Sequence, residues 1–197
     1  RQRLLHRKAR FALRLARDAC REVMRVYAGD DLGEVRKSDG SPVTAADLAA
    51  NAVILQGLKR YFPSDLVLSE ETPFDTTQAL GRRVWMVDPV DGTQDFVQRT
   101  GDFAVMIGLC ISGRPSLGVV AAPALGRTWF GGPGMGAFEE TATGRHPLTL
   151  RPPEPGRPLR AVVSRTHRPA GLDAVMEALG QPVEPVPRGG VGVKVGL

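Results

Sequence analysis

The sequence predicts a mixed α/β fold, because helix-like and strand-like patterns both occur along its 197 residues. Two segments near the start repeat apolar residues at helical spacing. A series of short apolar segments bounded by turn residues follows, which is typical of β-strands. Near the end a strand, a helix and another strand alternate, as in a βαβ unit. A chain of this length can bury the core of one large domain or of two small ones.

The first predicted helix is amphipathic and strongly cationic. Its apolar face should pack on a core, and the helix should end near Gly29, which can cap it. The solvated face carries an arginine at every third or fourth position: Arg3, Arg7, Arg10, Arg14, Arg17, Arg21 and Arg25. The apolar face repeats with similar spacing: Leu5, Ala12, Ala16, Ala19, Val23 and Val26. A face that binds a polyanion is the alternative interpretation of the arginine stripe.

The net positive charge of the chain comes from this first helix. Residues 1–25 hold nine Lys or Arg and two acids, a net charge of +7, whereas the remaining residues carry −2. This distribution argues against nucleic acid as a partner of the chain as a whole.

The sequence contains neither a membrane span nor a metal-binding pattern of cysteines. The longest apolar run, residues 103–111, is too short to cross a bilayer. Cys20 and Cys110 have no short ligand spacing, so neither a disulfide framework nor a zinc site is predicted. We therefore expect a reducing, cytoplasmic setting and no membrane partner.

The next elements follow in the order of the chain. A polar hairpin is expected over residues 37–41, and a second helix from Ala45 to Tyr61, where Pro63 stops it. The glycine-rich segment 131–136 lacks the Lys-Ser or Lys-Thr ending of a phosphate loop, so it predicts a hairpin turn. Strands are predicted over residues 66–68, 84–87, 103–111, 117–121 and 128–130.

Prolines mark a boundary between two parts of the chain. Five prolines between residues 146 and 159 interrupt any regular element there. We expect an N-terminal part over residues 1–146, a proline-rich connection over 147–158, and a second part over 159–197. The second part should contain a strand over 159–163, a helix over 172–179 and a strand over 183–186.

The segment 85–96, WMVDPVDGTQDF, places two carboxylates around a turn at the end of an apolar strand. Pro89 has a fixed φ and no amide donor, so the chain turns and Asp88 and Asp91 can converge. The carbonyl of Val90 can join them, and oxygen ligands of this kind suit Mg²⁺. Taken alone, the segment is also compatible with an ordinary turn, because Asp, Pro and Gly are common turn residues.

Two further acidic motifs precede this segment. Glu70 and Glu71 follow the predicted strand at 66–68, and Asp47 closes the segment KSDGSPVTAAD. Taken alone, the glutamates could be a solvated strand end, and Thr44 with Asp47 forms a good capping box. The occurrence of all three motifs in one chain favours a shared metal site.

The three motifs, in this order, resemble the Mg²⁺-dependent, lithium-sensitive phosphatase superfamily. This superfamily contains inositol monophosphatase, fructose-1,6-bisphosphatase and 3'(2'),5'-bisphosphate nucleotidase. The resemblance implies a layered α-β-α-β fold, with an N-terminal α+β part and a smaller C-terminal α/β part. It also implies hydrolysis of a phosphate monoester on a small phosphorylated substrate.

The resemblance further implies which residues hold the metal. Glu70, Asp88 and the Val90 carbonyl would hold a first Mg²⁺ ion. Asp88 and Asp91 would be shared toward a second ion, and Glu71 is available to a weaker third.

The resemblance also assigns roles around the attacking water. Asp47 and Thr93 would orient and deprotonate this water, because a hydroxyl can donate to one group while it accepts from another. Asp47, Glu70 and Thr93 are thus the candidate catalytic residues. The candidate substrate contacts are Gly92, Thr93, His167 and Lys194.

Three segments resemble the bisphosphate nucleotidases more closely than other members: QDF at 94–96, SRTH at 164–167 and GGVGVK at 189–194. Asp95 stands where inositol monophosphatases tend to have Asn, although Gln94 departs from the Lys common in nucleotidases. The resemblance implies removal of the 3'-phosphate of adenosine 3',5'-bisphosphate. Inositol-1-monophosphate hydrolysis is the first alternative. The second is an inactive module that binds polyanions through the arginine stripe.

Two expectations concern the assembly and the completeness of the site. The sequence leaves the oligomeric state open and is compatible with a homodimer. In the family another Asp, in a Trp-Asp motif, completes the second metal position, and no such motif follows Lys194 here. We therefore expect the second metal position to be incomplete in this chain.

Overall fold

A seven-stranded mixed sheet forms the centre of the computed structural model, which describes residues 2–73, 76–79, 81–167 and 169–197. Two long helices pack on this sheet, and a separate two-stranded parallel sheet lies near the end of the chain. The mixed α/β fold predicted from the sequence is therefore confirmed. Within the described ranges, no helix is both long enough and apolar enough to pass through a lipid bilayer.

The two long helices begin and end close to where the sequence places them. Helix α1 spans Gln2–Tyr27, and helix α2 spans Ala45–Tyr61. The amides of residues 28 and 29 still bond to carbonyls of the last turn of α1, so the helix ends next to Gly29 as predicted. The apolar stripe of α1 is buried against α2 and the sheet, and its arginine stripe is exposed.

Five strands of the central sheet correspond to predicted ones, with ends that differ by up to four residues, whereas the two strands within residues 136–147 were not predicted. The strands over residues 66–69 and 83–91 are parallel, and every other neighbouring pair in the sheet is antiparallel. The glycine-rich segment 131–136 forms a hairpin turn between two antiparallel strands, as expected. In order across the sheet, the strands are β3 (Leu66–Ser69), β4 (Arg83–Asp91), β5 (Ala104–Ile111), β6 (Arg114–Ala122), β7 (Arg127–Gly132), β8 (Gly136–Thr141) and β9 (Gly144–Pro147).

Two short strands make the polar hairpin before α2. Strand β1 spans Val35–Arg36 and pairs antiparallel with strand β2, Pro42–Val43. The turn between them closes because the amide of Lys37 donates to the carbonyl of Ser41 at 2.8 Å.

The C-terminal residues form the predicted strand–helix–strand unit and one further short helix. Residues 148–158 contain no helix or strand, which agrees with a proline-rich connection there. The division into two folding units stays a prediction. The elements of this part are β10 (Leu159–Ser164), α4 (Leu172–Ala178), β11 (Val183–Arg188) and α5 (Val191–Gly196), with β10 and β11 parallel.

A buried ion pair, which was not predicted from the sequence, lies between α1 and the sheet. The ammonium of Lys8 lies 2.5 Å from the carboxylate of Asp65 and 3.7 Å from the ring centre of Phe62. The indole nitrogen of Trp85 donates to the same carboxylate at 3.1 Å, and Arg83 contacts it from the side. Burial would raise the pKa of Asp65, but these donors hold it below its ordinary value.

We expect Asp65→Asn to lower the free energy of unfolding at pH 7 by about 3 to 5 kcal/mol, because it leaves the buried Lys8 ammonium without its carboxylate. The folded-state pKa lies below that of the unfolded chain. The contribution is therefore complete above about pH 4 and is lost as the pH falls through the folded-state value. Urea titrations between pH 7 and pH 3 measure this dependence.

The control is Glu154→Gln, which breaks an exposed pair with Arg157. Its effect should stay below about 0.5 kcal/mol. A difference between Asp65→Asn and the unchanged chain that does not shrink in acid would contradict the role given to Asp65.

Candidate functional site

The carboxylates of the three predicted motifs lie in one region of the molecule. Strands β3 and β4 run parallel, so they end on the same side, and the amide of Glu70 donates to the carbonyl of Val87 at 3.1 Å. Asp88 and Asp91 follow Val87 at the end of β4. The negative charges of Glu70, Asp91 and Asp47 all act on Asp88.

The end of β4 is irregular, and this irregularity places the acids. Asp88 is paired with Met106 of β5, but Asp91 is paired with Ala104, so β4 has one residue more than its partner between these points. Such a bulge bends the strand and re-aims its side chains. Pro89 lies within the bulge and has no amide to offer to the ladder.

Asp47 contacts Thr44 with one carboxylate oxygen and Thr93 with the other. Its Oδ2 accepts the amide and the hydroxyl of Thr44, both at 2.7 Å, and the Thr44 hydroxyl oxygen accepts the amide of Ala46 at 3.2 Å, which completes the capping box of α2. Its Oδ1 lies 3.4 Å from the hydroxyl of Thr93, which is also 2.9 Å from the carbonyl oxygen of Val90. The two interpretations of Asp47 are thus compatible, because capping leaves Oδ1 available to the site.

Asp88 is the most strongly perturbed carboxylate of the group. Burial, together with the nearby charges of Glu70, Asp91 and Asp47, raises its pKa to about 8. Its Oδ1 atom is buried and has no hydrogen-bond partner among the described residues. An unpartnered buried carboxylate oxygen is unfavourable unless a cation or a proton neutralises it.

Asp91 is held by the backbone of the C-terminal part. Its two oxygens accept the amides of Val191 and Gly192, at 2.9 and 2.7 Å. Burial nevertheless raises the pKa of Asp91, although these amides and the charge of Lys194 oppose the rise. The start of α5 therefore fixes the orientation of one predicted metal ligand.

The hairpin between α1 and α2 reaches the glutamates that follow β3. The ammonium of Lys37 lies 2.6 Å from Glu71 and 3.0 Å from Glu70. Burial lowers the pKa of Lys37, but the two carboxylates raise it above its ordinary range. Lys37, which the sequence did not single out, thus neutralises part of the acidic group.

The carboxylate and carbonyl oxygens of this site suit a hard cation, but the side chains are not arranged as a complete set of metal ligands. Across residues 2–73, 76–79, 81–167 and 169–197, no three Asp, Glu, His or Cys side chains come close enough together to hold an ion. Lys37 contacts the glutamates, and the amides of α5 contact Asp91. The unpartnered Oδ1 of Asp88 is the observation that fits a bound Mg²⁺, since carboxylate oxygens are its preferred ligands.

Position 92 requires a glycine, because of its backbone conformation and because its neighbours pack closely around it. Its φ is 83°, a region that residues with a side chain rarely adopt. A Cβ atom there would lie 2.8 Å from the carbonyl oxygen of Asp102 and 3.1 Å from the Cα of Gly190. Helix α3, Thr93–Val97, begins directly after it. The role of Gly92 in approaching a phosphate stays a prediction.

A guanidinium clamp joins the C-terminal part to α3, and its arrangement could not be read from the sequence. Arg165 donates to both Asp95 and Asp102. Asp95 also accepts the hydroxyl of Thr100 at 2.7 Å, and Asp102 accepts the amide of Gly189 at 3.0 Å. Asp95, which distinguishes the nucleotidase-like motif, is therefore buried inside the clamp.

The two predicted substrate contacts from the C-terminal part differ in position. Lys194 is half-buried and near enough to Asp91 for its charge to act on that carboxylate. His167 is exposed, and its described contacts are with Ser164 and Thr166 of its own loop. The roles of both residues toward a substrate stay predictions.

The chain is similar to a family of known phosphatases. Residues 5–177 match the inositol monophosphatase family. The 3'(2'),5'-bisphosphate nucleotidase CysQ of Salmonella typhimurium is 42% identical over 170 residues, which cover 85% of this chain and 67% of that protein. A histidinol-phosphatase of Mycobacterium tuberculosis is 45% identical over 134 residues, which cover 68% of this chain and 50% of that protein.

Solved structures agree with the fold. A crystal structure of CysQ from Bacteroides thetaiotaomicron, a bacterial member of the inositol monophosphatase family, has a TM-score of 0.78 at 27% identity, over 92% of this chain and 72% of that one. An inositol monophosphatase of Thermotoga maritima has a TM-score of 0.72 at 25% identity, over 93% of this chain and 68% of that one. The resemblance seen in the sequence motifs is therefore confirmed.

We expect Gly189→Ala to loosen the C-terminal part, because a Cβ atom at this position would overlap the carboxylate of Asp95 inside the clamp. Overpacking of this kind should lower the free energy of unfolding by about 1 to 3 kcal/mol, measured by urea titration. The control is Gly118→Ala, where a Cβ atom would meet open space. Equal stability of the two variants would contradict the close packing of Gly189 on the clamp.

Proposed function

The chain belongs to the inositol monophosphatase family, and we propose that it is a phosphoric monoester hydrolase that releases the 3'-phosphate of adenosine 3',5'-bisphosphate. The observation that carries the proposal is the group of carboxylates around Asp88, whose buried Oδ1 has no partner among the described residues. A group with this much negative charge would repel a phosphate ester unless cations neutralise it.

The proposal assigns the metal ligands by the chemistry of their oxygens. Glu70, Asp88 and the carbonyl of Val90 would hold a first Mg²⁺, and Asp91 with Asp88 a second. Glu71 is available to a weaker third. When bound, paired ions lower the pKa of a coordinated water and neutralise charge on the leaving oxygen. The magnesium requirement, lithium sensitivity and cytoplasmic setting belong to this proposal.

Thr93 and Asp47 would orient and deprotonate the water molecule that acts as the nucleophile. The hydroxyl of Thr93 lies between the Val90 carbonyl and Oδ1 of Asp47, so it can orient a water molecule toward the phosphorus. Oδ1 of Asp47 can accept the proton that passes through Thr93, because its Oδ2 is already engaged by Thr44. A general base positioned in this way contributes typically 10²- to 10⁴-fold to the rate.

The substrate assignment rests on the similarity to bisphosphate nucleotidases and on the C-terminal part. The similarity to CysQ covers more of this chain than the similarity to histidinol-phosphatase does. We propose that Lys194, near Asp91, approaches a phosphate of the nucleotide, with Gly92 and Thr93 beside it and His167 at the edge. Inositol-1-monophosphate remains the alternative substrate, since the family includes inositol monophosphatases.

We expect Asp88→Asn to abolish Mg²⁺-dependent phosphate release, because it removes the charge of the central metal ligand without changing the size of the side chain. The assay measures inorganic phosphate from adenosine 3',5'-bisphosphate in the protein that carries this chain, with far-ultraviolet circular dichroism as the test of folding. Asp30→Asn, which changes an exposed acid outside the site, is the control and should keep full activity. Undiminished release by Asp88→Asn would refute the assignment.

We expect the ratio kcat/KM to be higher for adenosine 3',5'-bisphosphate than for inositol-1-phosphate or histidinol phosphate. The three esters are compared at one Mg²⁺ concentration, so that metal binding does not contribute to the difference. A preference for inositol-1-phosphate would make the alternative substrate the correct one, while leaving the phosphatase chemistry intact.

A further inference from the structure

A cationic groove of about 770 Å³ lies beside α1. Arg7, Arg10 and Arg14 of α1 form one wall, Tyr61 closes the end of α2, and Arg83 lies at the start of β4. We call these five residues, with the space between them, the arginine groove.

The arginine groove is far from the carboxylates around Asp88, which we call the acidic site. Tyr61 and Asp47 are at opposite ends of α2, fourteen residues apart, which corresponds to about 21 Å along a helix. Arg83 begins β4, whose other end carries Asp88, about 16 Å away at the rise of an extended strand. A ligand in the groove therefore would not touch the proposed catalytic residues.

The three arginines that α1 contributes to the groove form no ion pair within the part of the chain that the structure describes, whereas Arg83 is paired with Asp65. Among the described residues, neither Arg7 nor Arg10 has an ion-pair or hydrogen-bond partner, and Arg14 has no ion pair and donates its hydrogen bond to the uncharged hydroxyl of Tyr61 at 3.4 Å. The acid that lines the groove, Asp65, is already paired with Lys8 and Arg83.

The arginines further along the same helix behave differently. Arg17 pairs with Glu140, and the two arginines of the last turns pair with acids on α1 itself: Arg21 with Asp18 and Arg25 with Glu22. The arginine stripe thus divides into a paired half and an unpaired half, and only the unpaired half lines the groove.

The groove also offers aromatic ring surface between its cations. Tyr61 is 48% exposed, and its ring centre lies 4.4 Å from that of Phe11. The guanidinium carbon of Arg14 lies 5.7 Å from the centre of the Tyr61 ring. Proteins bind single strands by combining cations, which contact the phosphates, with aromatic rings on which the bases stack, and the groove offers both through its arginines and the exposed ring of Tyr61.

We propose that the arginine groove binds single-stranded nucleic acid, with Arg7, Arg10 and Arg14 on successive backbone phosphates and Tyr61 under a base. A second cavity of about 700 Å³ shares Lys8 and Arg83 with the groove and leads on to Arg114, so the cationic surface continues beyond it. Binding in this place needs no divalent metal, since the side chains themselves carry the positive charge.

The composition of this face favours a nucleic acid over a lipid surface. A helix that lies on a membrane carries bulky apolar residues next to its cations. Among the described side chains of α1, Leu4 is the one large apolar residue that is exposed, and the others are buried or partly buried. The exposed ring of Tyr61 likewise favours a ligand with bases over an acidic peptide.

The test is fluorescence anisotropy with labelled 12-nucleotide single-stranded RNA, in the protein that carries this chain and without Mg²⁺. We expect saturable binding whose logarithmic affinity falls with the logarithm of salt concentration with a slope of about −2, the value for three phosphate contacts on a single strand. Tyr61→Ala should weaken binding about 5-fold or more through lost stacking, and Tyr61→Phe should restore it.

Two matched triple variants separate the groove from the general charge of α1. The groove variant changes Arg7, Arg10 and Arg14 to Gln, and the control changes Arg17, Arg21 and Arg25 to Gln. Both lose the same charge from the same helix. The groove variant should lose about 10-fold or more in affinity, because each lost phosphate contact weakens binding to every sequence, whereas the control should lose little. Phosphate release should be unchanged in the groove variant, since none of its residues belongs to the acidic site.

Four outcomes would overturn the proposal. These are the absence of saturable binding at 50 mM salt, equal losses in the two triple variants, tighter binding of poly-glutamate peptide than of RNA, and tighter binding to vesicles of anionic lipid. The thermal midpoints of all variants show that a loss of affinity does not come from unfolding. The proposal does not depend on the phosphatase activity, because neither its ligand nor its residues are shared with that site.

Discussion

Repulsion among the carboxylates around Asp88 is the constraint to which the rest of the site responds. Burial and the charges of Glu70, Asp91 and Asp47 raise the pKa of Asp88, so the negative form of this group is held at a cost in free energy. Each neighbouring acid has a donor that offsets part of that cost. Asp88 alone keeps a buried oxygen without a partner among the described residues. A divalent cation is the species that would remove the repulsion as a whole.

The fold brings these acids together by simple means. Parallel pairing of β3 and β4 ends both strands on one side, and the capping box at the start of α2 turns Asp47 toward that side. The bulge in β4 re-aims Asp91, and the amides of α5 then fix its orientation. The ends of β3 and β4, the start of α2 and the start of α5 thus meet in one place. The C-terminal part is attached there by the Arg165 clamp, so its packing and the geometry of the site are linked.

The parts of the fold and of the site that could be predicted from the sequence are those set by residues close together in the chain. The bounds of α2 followed from Thr44, Asp47 and Pro63, because caps and breakers act within a few residues. The acidic motifs carried the family resemblance for a similar reason, since each is a short contiguous pattern. The partners of Lys8, Lys37 and Arg165 could not be predicted, because each pair joins residues far apart in the chain. In the arginine stripe the same limit applies to the pair of Arg17 with Glu140, whereas the pairs of Arg21 and Arg25 join residues three positions apart on α1.

Stability measured with and without Mg²⁺ tests the central claim most directly. If repulsion at Asp88 is relieved by the cation, the unchanged chain should gain about 2.7 kcal/mol when Mg²⁺ is present at 100 times its dissociation constant. Asp88→Asn should lose most of that gain, yet be at least as stable as the unchanged chain without Mg²⁺. Two results would contradict the account: an unfolding free energy of the unchanged chain that does not change with Mg²⁺, or an Asp88→Asn variant that is less stable than the unchanged chain when Mg²⁺ is absent.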